Sequence, residues 1–326
     1  MEPLSLHDWH RSRGATFTEL NGFEVVAHYA DPTAETRAAL HGAAAVDWSA
    51  RGVLLVTGPD RLAFLHGMCT AEVKKLPPGA VTYAAFLTNK GAMVADGRIW
   101  NRGNDVLIDL EPGLFPAVRD QLQKHLISED AQVHDSGIDV ALVSVIGPQA
   151  DRVASSAGEI QRAPSLLPAG IDLLVWRSEL QTALEQIARA GGVLAGFEAW
   201  ERARVEAGVP RYGQDMDART IPLEAGLKHA ISYDKGCYVG QEVVARATFR
   251  GHVNKELRRL AFDGPDAPVP GAALHSGDRE VGRVTSVVRS ADDTGWIGLG
   301  YVHRDFTDGQ EPLSLDGGRA VQIRPR

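Results

Sequence analysis

The sequence predicts an α+β protein with two similar α+β units and a small all-β domain at its C-terminal end. Three observations carry this. Gly52–Thr57 is a short apolar, β-branched run. Gly58-Pro59-Asp60 turns the chain, and Arg61–Met68 brings Leu62, Phe64 and Leu65 to helical spacing. The same order returns with Ile138–Ile146 as strand, Gly147-Pro148 as turn and a helix around Val153, the mark of two related units. After Gly251 the character changes to short runs, Leu257–Phe262, Glu280–Val288, Trp296–Tyr301 and Ala320–Ile323. Gly264-Pro265, Gly271, Gly277-Asp278 and Asp292-Asp293 separate them, as in a small β-barrel or sandwich.

The remaining elements follow in order. Residues 1–45 are mixed, with a turn at Asp31-Pro32 and a short helix over Ala34–His41. Tyr83–Leu87 and Ile99–Trp100 read as strands around the turn Thr88-Asn89-Lys90-Gly91. Val106–Leu110 is another strand, and Phe115–Leu126 is an amphipathic helix. Leu173–Trp176 is a strand. Glu179–Ala190 carries Leu180, Ala183, Leu184 and Ile187 on one face and stops at Gly191-Gly192. Phe197–Ala207 is a helix ended by Gly208 and Pro210, and loops rich in Gly, Pro and Asp follow to about residue 235.

Bulk properties bound the function. The 326 residues are 44% hydrophobic and 23% charged, an ordinary globular composition with room for two or three domains. A net charge of −8 argues against non-specific nucleic-acid binding by the whole surface. Cys69 and Cys237 are too few for a disulfide framework, and without a CxxC pair no zinc or iron–sulfur site, and no metal, is expected. Asp8, His10, Arg11, Arg13 and Glu19 break any N-terminal apolar run, so no signal or transit peptide is expected. No run approaches the ~20 apolar residues of a membrane span. A cytoplasmic protein without a membrane or direct nucleic-acid partner is the expectation.

Four features bear on chemistry. In Lys235-Gly236-Cys237-Tyr238-Val239-Gly240-Gln241-Glu242 two glycines flank a cysteine, and Gln241–Ala247 favours a helix. Cys237 would then stand before a helix N-terminus and two residues from an ammonium, both of which favour thiolate; a small buried cysteine in a glycine turn is an equal alternative. Residues 235–259 hold Lys235, Arg246, Arg250, Lys255, Arg258 and Arg259 against Glu242 and Glu256, a patch suited to an anionic tail or to an ordinary solvated face. Asp96 follows the turn at 88–91 and can serve as a base in a pocket or be a plain loop aspartate. Glu206 falls in the last turn of its helix, against the macrodipole, where a residue often has another task. Cys69, among apolar residues after Asp60, reads as core.

Together these stretches resemble the YgfZ branch of the T-protein (aminomethyltransferase) superfamily. Asp47–Gly52, Val56–Arg61 and Phe64–Gly67 are similar to that family's opening block, and Tyr83–Asp96 to its folate-loop block. Glu206-Ala207-Gly208, Pro210–Gly213, Asp215-Met216-Asp217, Pro222–Leu227 and Val281–Ser286 resemble later blocks. The motif at 235–242 separates the YgfZ branch from true T-proteins, which lack the cysteine. The resemblance implies a T-protein-like fold with a C-terminal antiparallel β-barrel. It implies a discontinuous folate-binding unit of residues 1–45 and 137–250, an inserted unit of 46–136, and a barrel of 251–326. Tetrahydrofolate, or a one-carbon-substituted form, is the implied cofactor. Tyr83 would border it, Asp96 would face its nitrogens and Glu206 would hydrogen-bond the pterin. Tyr238, Gln241 and Arg246 would complete the binding set, with the basic residues meeting the glutamate tail. Cys237, Lys235 and Asp96 would carry the chemistry. Where T-proteins typically pair two acids, this chain has Ala95-Asp96, which puts aminomethyl transfer in doubt. The implied role is support of iron–sulfur enzymes, including tRNA-modifying ones, with client enzymes or assembly proteins as partners; a folate-dependent one-carbon transferase or demethylase is the alternative, and a folate sensor without chemistry a third.

Overall fold

A computed structural model describes residues 1–135, 139–249 and 251–325. The expected strand start at Ile138 and the cation Arg250 lie outside these residues.

Two five-stranded sheets and a closed barrel organise the chain. The first sheet runs Gln161–Pro164, Gly170–Trp176, Val140–Ile146, Ala44–Asp47, Val193–Ala195; only the last pair is parallel. The second is antiparallel throughout, in the order Val81–Leu87, Met93–Asn101, Val106–Leu110, Gly52–Thr57, Gln132–His134. The barrel closes through Lys255–Phe262, Trp296–His303, Arg279–Arg289, Ala273–Ser276, Leu313–Ser314 and Ala320–Arg324. Of barrel and sandwich, the structure forms the barrel, because Lys255–Phe262 pairs on both of its edges.

The repeated Gly-Pro turns have one cause. Gly58 (φ 97°) and Gly147 (φ 112°) both take the left-handed backbone at the end of a strand. A Cβ on Gly58 would lie 2.3 Å from Asp130 O, and one on Gly147 2.6 Å from Gly42 O. Each turn therefore lets a strand end press against a neighbouring loop.

Helices Arg61–Met68 and Phe115–His125 cover one face of the second sheet, where Phe64, Leu65, Val118 and Leu122 meet Leu54, Val56, Phe86 and Ile108. The opposite face of Val81–Leu87, with Ala85 and Leu87, lies under Met216, Leu223, Leu227, Ile231 and Tyr238. That face holds the functional candidates. Trp100 and Leu107 of the second sheet join Leu142 and Leu174 of the first in one core.

A charged seam is set between the sheets. Asp109 accepts from Arg98 Nε (2.9 Å), Trp100 Nε1 (2.7 Å) and Arg51 Nε (2.8 Å). Arg98 reaches across to Asp172 of the first sheet, which also accepts from Ser144 Oγ. Desolvating these ions is costly, and each is retained because its partners fill its hydrogen-bonding positions. A second such knot docks the barrel. Asp215 accepts from Arg204 Nη1 (2.6 Å), Arg211 N (3.1 Å), Thr285 Oγ1 (2.5 Å) and Ser286 Oγ (2.7 Å), joining helix Phe197–Ala207 to the strand Arg279–Arg289.

Among the described residues no helix is long and apolar enough to cross a membrane, and no three His, Cys, Asp or Glu side chains are placed to hold a metal ion.

Candidate functional site

Where the two sheets and the barrel converge, a cavity of about 260 Å³ opens. Tyr83 comes from the second sheet, Gly208 from the end of helix Phe197–Ala207, His229 from a short 3-10 turn, and Arg258 and Arg259 from the barrel. The Tyr83 ring stacks on His229, centroids 5.5 Å apart at 15°.

Behind Tyr83 stands Asp96, on the neighbouring strand Met93–Asn101. The Tyr83 hydroxyl donates to Asp96 Oδ2 at 2.5 Å. Asp96 is only 5% exposed, and its Oδ1 has no hydrogen-bond partner. Burial pushes the carboxyl up to about 6, against the Tyr83 hydrogen bond, which lowers it; the Glu111 charge raises it and Arg51 lowers it. Burial, then the Asp96 charge, holds the Tyr83 phenol well above its ordinary range.

Glu206, in the last turn of its helix, precedes Ala207 of the cavity wall. Its carboxylate comes within 4.0 Å of Arg324, and its Oε2 is buried without a partner. Asp96 Oδ1, behind the lining residue Tyr83, and Glu206 Oε2, next to the lining residue Ala207, are thus both buried without donors, while neither side chain itself lines the cavity. A larger cleft, about 770 Å³, opens between residues 213–224 and the barrel. Its acids Asp215, Asp217 and Glu224 face Arg204, Arg219 and Lys255, and Glu280 and the Tyr301 hydroxyl, which is buried without a hydrogen-bond partner, also line it.

The motif at 235–242 lies at the other end of the same strand face. Gly240 (φ 83°) rests on the turn after Val81–Leu87: a Cβ there would lie 2.6 Å from Thr88 O. Val243 meets Gly91 in the same way, so the two glycine motifs read separately in the sequence are one contact. Cys237 is exposed, whereas Cys69 is fully buried as expected, its thiol pushed up to about 11 by burial. The alternative of a buried Cys237 is set aside.

Lys235 departs from its expected place. The sequence put its ammonium beside the Cys237 thiol. The structure puts it on His66 O (2.5 Å), Cys69 O (2.8 Å) and Ala71 O (2.6 Å), which take all three of its donors. The helix begins at Gln241 as expected, so Cys237 stands outside it, beyond the first turn in which a helix dipole chiefly acts.

Of the six expected folate contacts only Tyr83 lines the cavity; Asp96 is hydrogen-bonded to it, Glu206 precedes the lining Ala207, and the other three lie elsewhere. Tyr238 is 9% exposed and packs with Leu87 and Met93; Gln241 accepts from Tyr238 N (3.3 Å); Arg246 pairs with Glu242 (2.7 Å) on an exposed helix face. Gly240 and Val239, whose N–H donates to Gly67 O (3.0 Å), pin this segment at the far end of the strand. The basic patch is dispersed for the same reason: Arg258 and Arg259 reach the cavity, and Lys235 and Arg246 do not. Sequence reasoning missed His229, Arg51 and Glu111. Only the stacking of His229 on Tyr83, and the burial of Arg51 against Asp109 and Glu111, mark them.

With this geometry in hand, residues 6–164 match the family model described as the GCVT N-terminal domain. The chain is similar to an aminomethyltransferase of Rubrobacter xylanophilus, 28% identical, the match covering 98% of this chain and 90% of that protein. It is also similar to the tRNA-modifying protein YgfZ of Yersinia enterocolitica, 27% identical over 77% of this chain and 81% of that one. The glycine cleavage system aminomethyltransferase T of Bartonella henselae superposes with a TM-score of 0.89 over 99% of this chain and 97% of its own, at 20% identity. The T-protein fold expected from the sequence is the fold observed.

Proposed function

We propose that this chain binds tetrahydrofolate, or a one-carbon-substituted form, in the cavity beside Tyr83, and that it supports iron–sulfur enzymes, including tRNA-modifying ones, in the manner of YgfZ. One observation supports the folate reading: Asp96, hydrogen-bonded to the cavity-lining Tyr83, and Glu206, next in the chain to the cavity-lining Ala207, each keep a buried carboxyl oxygen without a donor. The amino and ring N–H groups of a pterin match such acceptors, and a glutamate tail suits Arg258 and Arg259. Bound folate would supply a carrier for a one-carbon unit. Tyr83 orients the Asp96 carboxyl, and His229 backs the Tyr83 ring. Cys237 is the working thiol on a separate surface that a client enzyme or assembly protein can reach. The two α+β units, residues 1–45 with 137–250 and residues 46–136, and the barrel of 251–326 are the domains of this reading. The setting is cytoplasmic, with no membrane or direct nucleic-acid partner.

A second reading, a one-carbon transferase, is favoured by Asp96 itself: a carboxyl at about 6 beside a phenol is in the range for general acid–base work. Ala95 in place of a second acid speaks against it.

Calorimetric titration with tetrahydrofolate tests the pocket that both readings share. Glu206→Ala and Asp96→Asn are each expected to weaken binding by roughly 10- to 100-fold, the worth of a hydrogen bond to a charged group, while Cys237→Ala binds within about twofold of wild type. Absence of binding by the wild-type chain removes the folate reading. Loss of iron–sulfur enzyme activity in cells carrying Cys237→Ala supports the YgfZ-type role; loss in Asp96→Asn alone supports the transferase.

A further inference from the structure

The helix Arg61–Met68 ends without a cap of its own. Its last four carbonyls have no partner within the helix, and its C-cap residue, Cys69, is extended (φ −133°, ψ 172°). The stretch 232–239 supplies what is missing. Lys235 Nζ donates to His66, Cys69 and Ala71 O, Val239 N to Gly67 O (3.0 Å), and Ser232 N to Thr70 O (2.9 Å). Lys235 is only 8% exposed. Its charge answers the negative end of the helix dipole, where a lysine is favoured. Beyond Val239 the chain is braced again, by Gly240 against Thr88 O. Between these two anchors stands the exposed Cys237.

We infer that Lys235 is a positioning residue: it fastens the 232–240 strap to the end of helix Arg61–Met68 and so presents Cys237 to a protein partner, without activating the thiol. This rests on the proposed role of Cys237 and assigns the lysine of the motif a different task from the one its spacing suggests. The arrangement is economical in protein terms, since one side chain closes the helix and fixes the thiol's place on the surface.

The test uses the full chain and two readouts that an activator would move in opposite ways. One is the pH dependence of Cys237 alkylation by iodoacetamide, read by mass spectrometry of the modified peptide. The other is amide hydrogen exchange at Ser232 and Val239. In Lys235→Met the apparent thiol pKa is expected to stay within about 0.3 unit of wild type, while exchange at both amides rises about tenfold or more. Iron–sulfur enzyme activity in cells should fall with it, and Lys235→Arg should restore part of that activity. A thiol pKa raised by about one unit or more, with exchange unchanged, overturns the inference and makes Lys235 an activator. Should Lys235→Met fail to fold, Gly240→Ala loosens the strap from its other end. Faster exchange at Val239 with an unchanged thiol is then expected, and unchanged exchange overturns the inference. Cys237→Ala isolates the underlying role: if it keeps full cellular activity the function of Cys237 falls, while protection at Val239 still reports on the strap.

Discussion

The cavity beside Tyr83 and the strap that carries Cys237 occupy the two ends of one face of the strand Val81–Leu87, and they are built in opposite ways. At Tyr83 the acid is buried, 5% exposed, with one oxygen left unpaired; at the other end the strap is tied through Ser232 N and Val239 N and the thiol is left in solvent. Four residues at ~3.3 Å each set the two ends about 13 Å apart. Burial raises the energy of an unmatched carboxylate and so prepares it for a ligand. Exposure does the reverse for a thiol: it leaves access to a large partner. A small-molecule site and a protein-facing site can therefore share one strand without sharing chemistry.

The largest expected effect tests the scaffold under the cavity. Arg98→Met removes the cation that faces Asp172 and leaves Asp109 only Arg51, and should cost about 3–5 kcal/mol in urea unfolding. The folded protein should keep wild-type alkylation of Cys237, because the seam lies between the sheets and not under the strap.

Next is the pH dependence of the buried acid. The folded carboxyl of Asp96, at about 6, lies above its ordinary 3.8, so the folded state holds the proton more tightly. Asp96 therefore costs stability above about pH 6, and that cost fades as the pH falls toward 4. Asp96→Asn should be more stable than wild type by roughly 2–3 kcal/mol at pH 8, with the gap closing near pH 4. A gap independent of pH would mean that the carboxyl is not desolvated as the structure has it.

The two motif glycines should then part company. Gly240→Ala forces a Cβ to 2.6 Å from Thr88 O at φ 83° and should cost about 1–3 kcal/mol. At Gly236 a Cβ would meet nothing within 4 Å, so Gly236→Ala should lie within about 0.5 kcal/mol of wild type, or gain slightly. Equal costs would show that Gly236 too is pinned. The smallest effect belongs to Arg246→Ala. It removes an exposed ion pair with Glu242 and should change stability by less than about 0.5 kcal/mol and leave tetrahydrofolate affinity unaltered.

Much of this was legible in the chain. The apolar spacing of Phe197–Ala207 and its stop at Gly208, left-handed at φ 75°, mark that helix to the residue. The hairpin Thr16–Leu20/Phe23–His28 had its own signal in Asn21-Gly22, both at positive φ, although a mostly exposed first strand hides the alternation. The candidates Tyr83, Asp96, Glu206 and Cys237 came from local blocks. Tyr238, Gln241 and Arg246 carried no such local reason, and their side chains go to a core cluster, a turn and solvent.

By itself, then, the sequence determined the α+β class, the glycine turns that let strand ends meet loops, and the identity of an acid and a thiol worth following. Those are properties of spacing and backbone freedom, which act over a few residues. Only the tertiary structure decided that Arg98 meets Asp172, that Lys235 turns to the carbonyls of His66, Cys69 and Ala71, and that Asp96 loses its solvent. Each of these depends on which distant groups are left without hydrogen-bond partners once the core has packed, and that account can be closed only in three dimensions.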